Sequence, residues 1–362
     1  MMNDDVRRPR ALVLSGHDLG AWRAEYARGA APAALPYEVD ALGRAGLDIT
    51  VRSNIDSAIV DRLRRKIEHR TEYSVALPLR GMVAAGSADV VVALLEREGA
   101  LPAILKQRRV PPYARRPLVI WSCWLADDLQ CATPQRREEL SRIYRGADLI
   151  THLSRHEASV FADAGFREDQ LFPITYGVSH RYYVPGDDSE RDIDLLAVGQ
   201  DRGRDYATLF DAIAGTTLRL QLVCRPENLA GLRVPDNVTV VGTVPREEYR
   251  ALLRRSKVVA IPTRVLTYPT GSSVALEASS SGCCVVATDT PAMADYVQHE
   301  RTGLLVAPGD SAGWGEALVR LRDDEALRAR LGSAARTSVE MTFNAEHMWS
   351  ELADEMRRRE LV

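Results

Sequence analysis

The sequence predicts an α/β protein made of two doubly wound Rossmann-like domains. Three observations predict it. The chain has 362 residues, enough for two domains of ordinary size that each bury their own core. Short apolar runs alternate with helical patterns along its whole length. Several of those runs are continuously apolar, as expected of strands covered on both faces. Strand and helix in alternation give right-handed crossovers and a parallel sheet with helices on either side.

In the first half the predicted strands are Ala11–Ser15, Leu47–Val51, Val90–Leu94, Leu118–Trp121, Leu149–Leu153 and Leu171–Ile174. Helical patterns at Pro36–Ala45, Ile59–His69 and Pro134–Tyr144 fall between them. The second half repeats the theme with strands Asp194–Val198, Leu218–Val223, Val238–Val241, Val258–Ile261, Cys284–Ala287 and Leu304–Val306. Of these, Val238–Val241 and Val258–Ile261 read as buried strands flanking a helix. The polar, turn-rich stretch from Val184 to Glu190 reads as the linker. The expected domains are therefore residues 1–183 and 184–342. Helical patterns follow at Ala312–Leu321, Glu325–Met341 and Phe343–Arg358. The last carries Met348, Leu352 and Met356 at four-residue spacing on one face. No short-period repeat or low-complexity segment interrupts the pattern.

Composition narrows the function classes. Hydrophobic residues make up 46% and charged residues 27%, the balance of a soluble globular protein. A net charge of −3 gives no footprint for nucleic acid. The Arg7–Arg10 and Arg357–Arg359 clusters lie near the ends of the sequence and read as solvated. Lysine stands only at 66, 106 and 257, an arginine bias that fits a GC-rich genome. Cysteines 123, 131, 224, 283 and 284 have no metal spacing and read as small core residues in a reducing compartment. No signal peptide or membrane span is evident, and the expected location is cytoplasmic.

The stretch from Asn237 to Val306 is the most specific in the chain. It runs from a strand into Gly242-Thr243-Val244, then helix, strand and Pro262-Thr263. A loop with Tyr268-Pro269-Thr270-Gly271-Ser272-Ser273 follows, then Leu276-Glu277-Ala278, Gly282, Val285-Val286-Ala287 and Thr302-Gly303-Leu304-Leu305-Val306. This order resembles the donor-binding half of retaining GT-B glycosyltransferases of the family four type. That family shows G-x-[VI], P-[ST], a glycine-containing loop, L-E-A-x-x-x-G-x-P-V-V-A and T-G-L-L-V in the same succession. Upstream, Tyr176-Gly177-Val178-Ser179 resembles its [NY]-G-V-[DS] element. The resemblance implies two Rossmann-like domains facing a cleft, with the last helix, 343–362, crossing back onto the first domain.

It also implies how a sugar nucleotide would be held. The diphosphate gains charge as the glycosidic bond breaks, and backbone amides, helix N-termini and arginine forks can meet that charge. Leu195-Leu196-Ala197-Val198-Gly199 leads into a loop with Arg202 and Arg204, where the family has V-G-R and K-G before a helix. Arg204 falls on the family lysine. Gln200 stands where the family has arginine, and Arg202 is the candidate substitute; both arginines also read as solvated loop residues. Gly271 allows close backbone approach, and Ser272 or Ser273 can cap the following helix while Thr270 borders the loop. Glu277 matches the second of the family's two acids, which accepts from ribose hydroxyls; as a plain helix acid it would be favoured by the dipole near a helix start. The first acid is absent, since Pro269 occupies its place. Thr243 and Val244 fall where the family reads the base with main chain.

The first domain matches the family in architecture alone. Its acceptor loops would be Ser15–Gly20, the residues around Glu96–Gly99 and the stretch Trp121–Asp128. His17 and Asp18 are candidates for acceptor activation. Trp124, with Trp121, forms either a stacking wall for an acceptor or part of the core. The family's early Gly-Gly loop and its histidine after the fourth strand are both missing. Asp192-Ile193-Asp194 matches a D-x-D metal motif of another glycosyltransferase class, but it precedes its strand and so lies at the wrong sheet end. His152/His156 and Asp127/Asp128 lack a third ligand and read as surface and turn residues. Ile59–Arg70 is basic but reads as a solvated helix face in place of a membrane patch.

The resemblance thus implies retaining, metal-independent transfer of a sugar from a nucleoside-diphosphate sugar to a small-molecule or glycan acceptor, in specialised metabolite biosynthesis. No cofactor is expected, and oligomeric state is left open. The alternatives are a non-catalytic GT-B nucleotide-binding protein and a nucleotide-sugar epimerase on the same fold.

Overall fold

The computed structural model describes residues 7–54 and 68–362, and falls into two compact units. Among the described residues the first comprises those up to Gly29, Ala33–Thr175 and Glu346–Val362; the second comprises Ala30–Pro32 and Tyr176–Ala345. The predicted helix Ile59–His69 lies almost wholly outside the described residues.

The first unit holds one parallel six-stranded sheet: β1 (Arg10–Ser15), β2 (Asp48–Ser53), β3 (Val90–Leu94), β4 (Leu118–Trp121), β5 (Leu149–His152) and β6 (Leu171–Pro173), in the order β2-β1-β3-β4-β5-β6. Its described helices are α1 (Leu19–Ala27), α2 (Ala41–Arg44), α3 (Ala76–Ser87), α4 (Glu96–Gln107), α5 (Leu125–Cys131), α6 (Pro134–Tyr144) and α7 (Ala158–Asp163). β3, β4 and β5 are buried at every position, which is why they read as unbroken apolar runs. The predicted helix over Pro36–Ala45 is instead a 3-10 turn, Pro36–Glu38, followed by the short α2. Tyr37 and Glu38 take φ of 56° and 54°, a left-handed excursion that no α-helix accommodates.

The second unit holds β7 (Ile193–Val198), β8 (Leu220–Val223), β9 (Val238–Val240), β10 (Ser256–Ile261), β11 (Cys284–Thr288) and β12 (Leu304–Val306), all parallel, in the order β12-β11-β10-β7-β8-β9. α8 (Tyr206–Ile213), α9 (Arg246–Arg255), α10 (Ser272–Ser280), α11 (Ser311–Asp323) and α12 (Glu325–Met341) flank the sheet. Two apolar clusters, one on each face, contain Leu196, Val259 and Val285 on one side and Leu195, Ala260 and Val286 on the other. This is the 3-2-1-4-5-6 Rossmann order, with its switch point between β7 and β10. Val238–Val241 is not a buried strand, as its sequence suggests. β9 is the sheet edge, and Val240 and Val241 are exposed.

The chain passes between units at Thr175/Tyr176 and returns at Ala345/Glu346, displaced from the expected 183/184 and 342/343. Packing explains the displacement. Val178, Tyr182 and Tyr183 lie in the core of the second unit, Val178 bridges to Asn344, and Ser280 Oγ donates to Tyr183 O at 2.6 Å. The last helix, α13 (Ala345–Arg358), joins the first unit almost entirely. Its Met348, Trp349, Leu352 and Met356 are buried, and Trp349 packs on Trp121 at 5.6 Å between ring centroids.

Candidate functional site

Open α/β sheets bind ligands beyond the carboxyl ends of strands at the switch point. In the second unit those ends belong to β7 and β10. After β7 the chain turns at Gly199, and after β10 it continues through Pro262-Thr263. The two segments are joined: Arg204 bridges to Thr263, Asp205 N donates to Pro262 O at 3.0 Å and Arg264 N donates to Gly203 O at 2.8 Å.

Arg204 is the central side chain there. It is only 8% exposed, and its Nε donates to Asp201 Oδ2 at 3.0 Å. Its Nη1 is buried with no hydrogen-bond partner, and the Thr270 Oγ1 nearby shares that condition. Glycines make room for this packing. A Cβ on Gly271 would stand 2.8 Å from Arg204 Nη1, and one on Gly199 would overlap the guanidinium. A Cβ on Gly203 would stand 2.9 Å from Thr270 Oγ1. A buried guanidinium nitrogen and hydroxyl without partners are costly unless something accepts from them.

Gly271, at φ 83°, is the N-cap of α10, and no side chain caps the helix. The expectation that Ser272 or Ser273 would cap it is therefore corrected, because the helix begins at Ser272 and both serines lie inside its first turn. The N-terminus of α10, without a side-chain cap, stands beside Arg204, as an anion site requires. Arg202 lies exposed on the same loop. Thr243 is exposed and Val244 half-buried beyond β9, two strands from β7 and hence about 10 Å along the sheet.

Glu277 lies in the second turn of α10, beyond the part of a helix where the dipole favours an acid. Its Oε2 accepts from Tyr249 Oη at 2.7 Å, and Tyr183 also donates to it. Burial pushes this carboxyl up to about 7, opposed by the two tyrosyl hydroxyls and by Arg246. Asp201, Thr263, Tyr183 and Tyr249 were not found from the sequence. Asp201 alone carried a local signal, as an acid beside the loop arginines.

In the first unit, Asp18 caps α1 by accepting from Ala21 N at 3.0 Å, and His17 Nδ1 lies 3.2 Å from Ser15 Oγ. Trp121 is fully buried and belongs to the core. Trp124 is half-buried at the start of α5, its amide donating to Glu96 Oε1 at 2.5 Å. His152 and Asp127 are buried, not surface residues as their sequence context suggests, and burial lowers the His152 pKa. Cys131 is exposed, so it is not the core residue expected of it, whereas Cys224, Cys283 and Cys284 are buried. Asp192 and Asp194 pair with Arg255 at 2.5 Å and Lys257 at 2.8 Å, at the end of β7 remote from Gly199. Among the described residues no group of three His, Cys, Asp or Glu could hold a metal ion, and no helix is long and apolar enough to cross a membrane.

Residues 194–324 match the family model described as glycosyl transferases group 1. A D-inositol 3-phosphate glycosyltransferase of Pseudarthrobacter chlorophenolicus is 36% identical over 107 residues, 30% of this chain and 25% of the relative. Its counterpart in Streptomyces avermitilis is 29% identical over 234 residues, 59% of this chain and 48% of the relative. The chain thus spans about half or less of the length of these relatives. Among solved structures, sucrose-phosphate synthase of Thermosynechococcus elongatus superposes with a TM-score of 0.71 at 19% identity, covering 97% of this chain and 99% of the other. HepE of Anabaena, solved with UDP-glucose, superposes with a TM-score of 0.70 at 16% identity, covering 96% and 99%. The fold is therefore of the GT-B class, and its second unit carries a region similar to glycosyl transferases group 1.

Proposed function

We propose that the protein is a glycosyltransferase that moves a sugar from a nucleoside-diphosphate sugar to a small-molecule or glycan acceptor, with retention at the anomeric carbon. The observation that carries this reading is the pair of unpartnered buried groups, Arg204 Nη1 and Thr270 Oγ1, beside the uncapped start of α10 at the β7/β10 switch point. A diphosphate supplies the acceptor oxygens that these groups lack.

In this reading Arg204 offers its free nitrogen to the diphosphate, while Asp201 fixes the guanidinium plane through Nε. The Gly271–Ser273 amides and exposed Arg202 add to the field. The charge growing on the departing diphosphate is met by groups already in place. The acceptor attacks from the face that the leaving group vacates, so no nucleophile is required from the protein. Glu277 accepts from ribose hydroxyls with the carboxylate oxygen capacity that Tyr249 and Tyr183 leave, and the Gly242–Val244 main chain lies against the base. The reading routes no step through a metal or cofactor, and it places the enzyme in specialised metabolite biosynthesis in the cytoplasm.

Arg204→Ala tests it. Titration calorimetry with the nucleoside diphosphate that the wild type binds should show affinity lowered about ten- to a hundredfold, the value of a charge-assisted hydrogen bond. Arg204→Lys should recover part of the loss. Unchanged affinity in Arg204→Ala would place the diphosphate elsewhere.

A further inference from the structure

The first unit has its own switch point. From β1 the chain moves outward to β2 and then returns across β1 to β3, so the carboxyl ends of β1 and β3 lie side by side. They bring together Gly16, just past β1, and Glu98, in the first turn of α4. A Cβ on Gly16 would stand 2.4 Å from Glu98 Oε1, so the carboxyl group rests directly on the glycine backbone. Between β3 and α4 the chain passes through Leu95 at φ 76° and ψ 164°, a conformation strained for any residue but glycine.

Four glutamate carboxyl groups are buried in this part of the unit, and three of them are satisfied by the fold. Glu96 Oε1 accepts from Ser122 Oγ and from the amides of Cys123, Trp124 and Leu125. Glu157 Oε1 accepts from the Leu153 and Ser154 amides. Glu68 Oε1 accepts from Ser74 Oγ and the amides of Val75 and Ala76. Glu98 differs. It is 8% exposed, and among the described residues its only hydrogen-bond donor is its own backbone amide. Its surroundings are negative: Glu96 and Glu68 repel its charge and Arg97 alone opposes them. Tyr37 and Tyr144 are also coupled to it, and His17 stands edge-on to Tyr37 at 5.3 Å. Burial first, then these carboxylates, push Glu98 up to about 8.

We infer that Glu98 forms an acceptor subsite of the first unit, and that the group it receives is an amine, not a phosphate or carboxylate. An ammonium displaces the proton that Glu98 holds at neutral pH and donates to the resulting carboxylate in a charge-assisted hydrogen bond. An anionic group would meet Glu96 and Glu68 with only Arg97, among the described residues, to offset them. As an acceptor site this rests on the glycosyltransferase reading above; as an amine site it does not.

The test is calorimetry on the whole chain at neutral pH with glucosamine, glucose and glucose 6-phosphate, with and without a saturating nucleoside diphosphate. Glucosamine should bind at least tenfold more tightly than glucose, and glucose 6-phosphate more weakly than either. Glu98→Gln, near-isosteric, should lose the amine preference while its nucleotide affinity stays that of the wild type and its melting temperature does not fall. Gly16→Ala, which drives a methyl group onto Glu98, should lose it too. The inference is overturned if the wild type shows no amine preference, if Glu98→Gln keeps it, or if glucose 6-phosphate binds as well as glucosamine. Failure of the nucleotide to bind, with the amine preference intact, would instead count against the donor reading alone.

Discussion

Arg204 and Gly271 depend on each other. The guanidinium can occupy its buried position only because Gly199 and Gly271 lack side chains, and Gly271 also needs the positive φ that starts α10. Gly271→Ala places a methyl group 2.5 Å from Ile261 Cγ2 and 2.8 Å from Arg204 Nη1. It should therefore lower stability by about 1–3 kcal/mol in urea unfolding and weaken nucleotide binding in the same variant. These residues were legible in the sequence because glycine, arginine and the L-E-A helix kept a recognisable local order. Glu98 was legible only as one residue of a loop. Its distinction comes from contact with Gly16, 82 positions earlier, and no local pattern reports that contact. The tyrosines on Glu277 stayed hidden for the same reason.

Among elements, all twelve predicted strands are present; central ones such as β3, β4 and β5 are buried on both faces and leave apolar runs that helices do not imitate at that length. The errors have physical causes. β9 is as apolar as a central strand yet lies at the sheet edge, and the strand order that puts it there is a tertiary property. Pro36–Ala45 has helical spacing, but Tyr37 and Glu38 turn left-handed. α13 was read correctly, since a single apolar face at four-residue spacing has few other uses. Its Trp349 is fully buried against Trp121 and donates Nε1–H to Tyr37 O at 2.6 Å. Trp349→Ala should cost about 3–5 kcal/mol, read as a lower urea midpoint. A loss below 1 kcal/mol would show that α13 contributes little to the first unit.

For the molecule as a whole, buried carboxyl groups set a pH dependence whose sign follows from their shifts. Glu98 and Glu157 are pushed up to about 8 and Glu277 to about 7, from an ordinary 4.5. Between about pH 5 and 8 the folded chain holds protons that the unfolded chain has released. The unfolded state thus binds fewer protons, and stability falls as pH rises through this window. Melting should be higher at pH 5.5 than at pH 8.5, and replacing the three residues by glutamine should flatten the difference. A wild-type profile that rises over this range would contradict the burial assigned to them.

The central claim is that the second unit binds a nucleoside diphosphate through Arg204 and the start of α10. The most direct measurement is a thermal-shift panel of UDP, GDP, ADP and dTDP, each without and with magnesium. A ligand at a hundred times its dissociation constant adds about 2.7 kcal/mol, enough to raise the melting temperature by several degrees. The account predicts that one nucleotide raises it without magnesium and that Arg204→Ala cuts the shift to about half or less. No shift with any of the four would contradict it, leaving a GT-B fold without a working donor site.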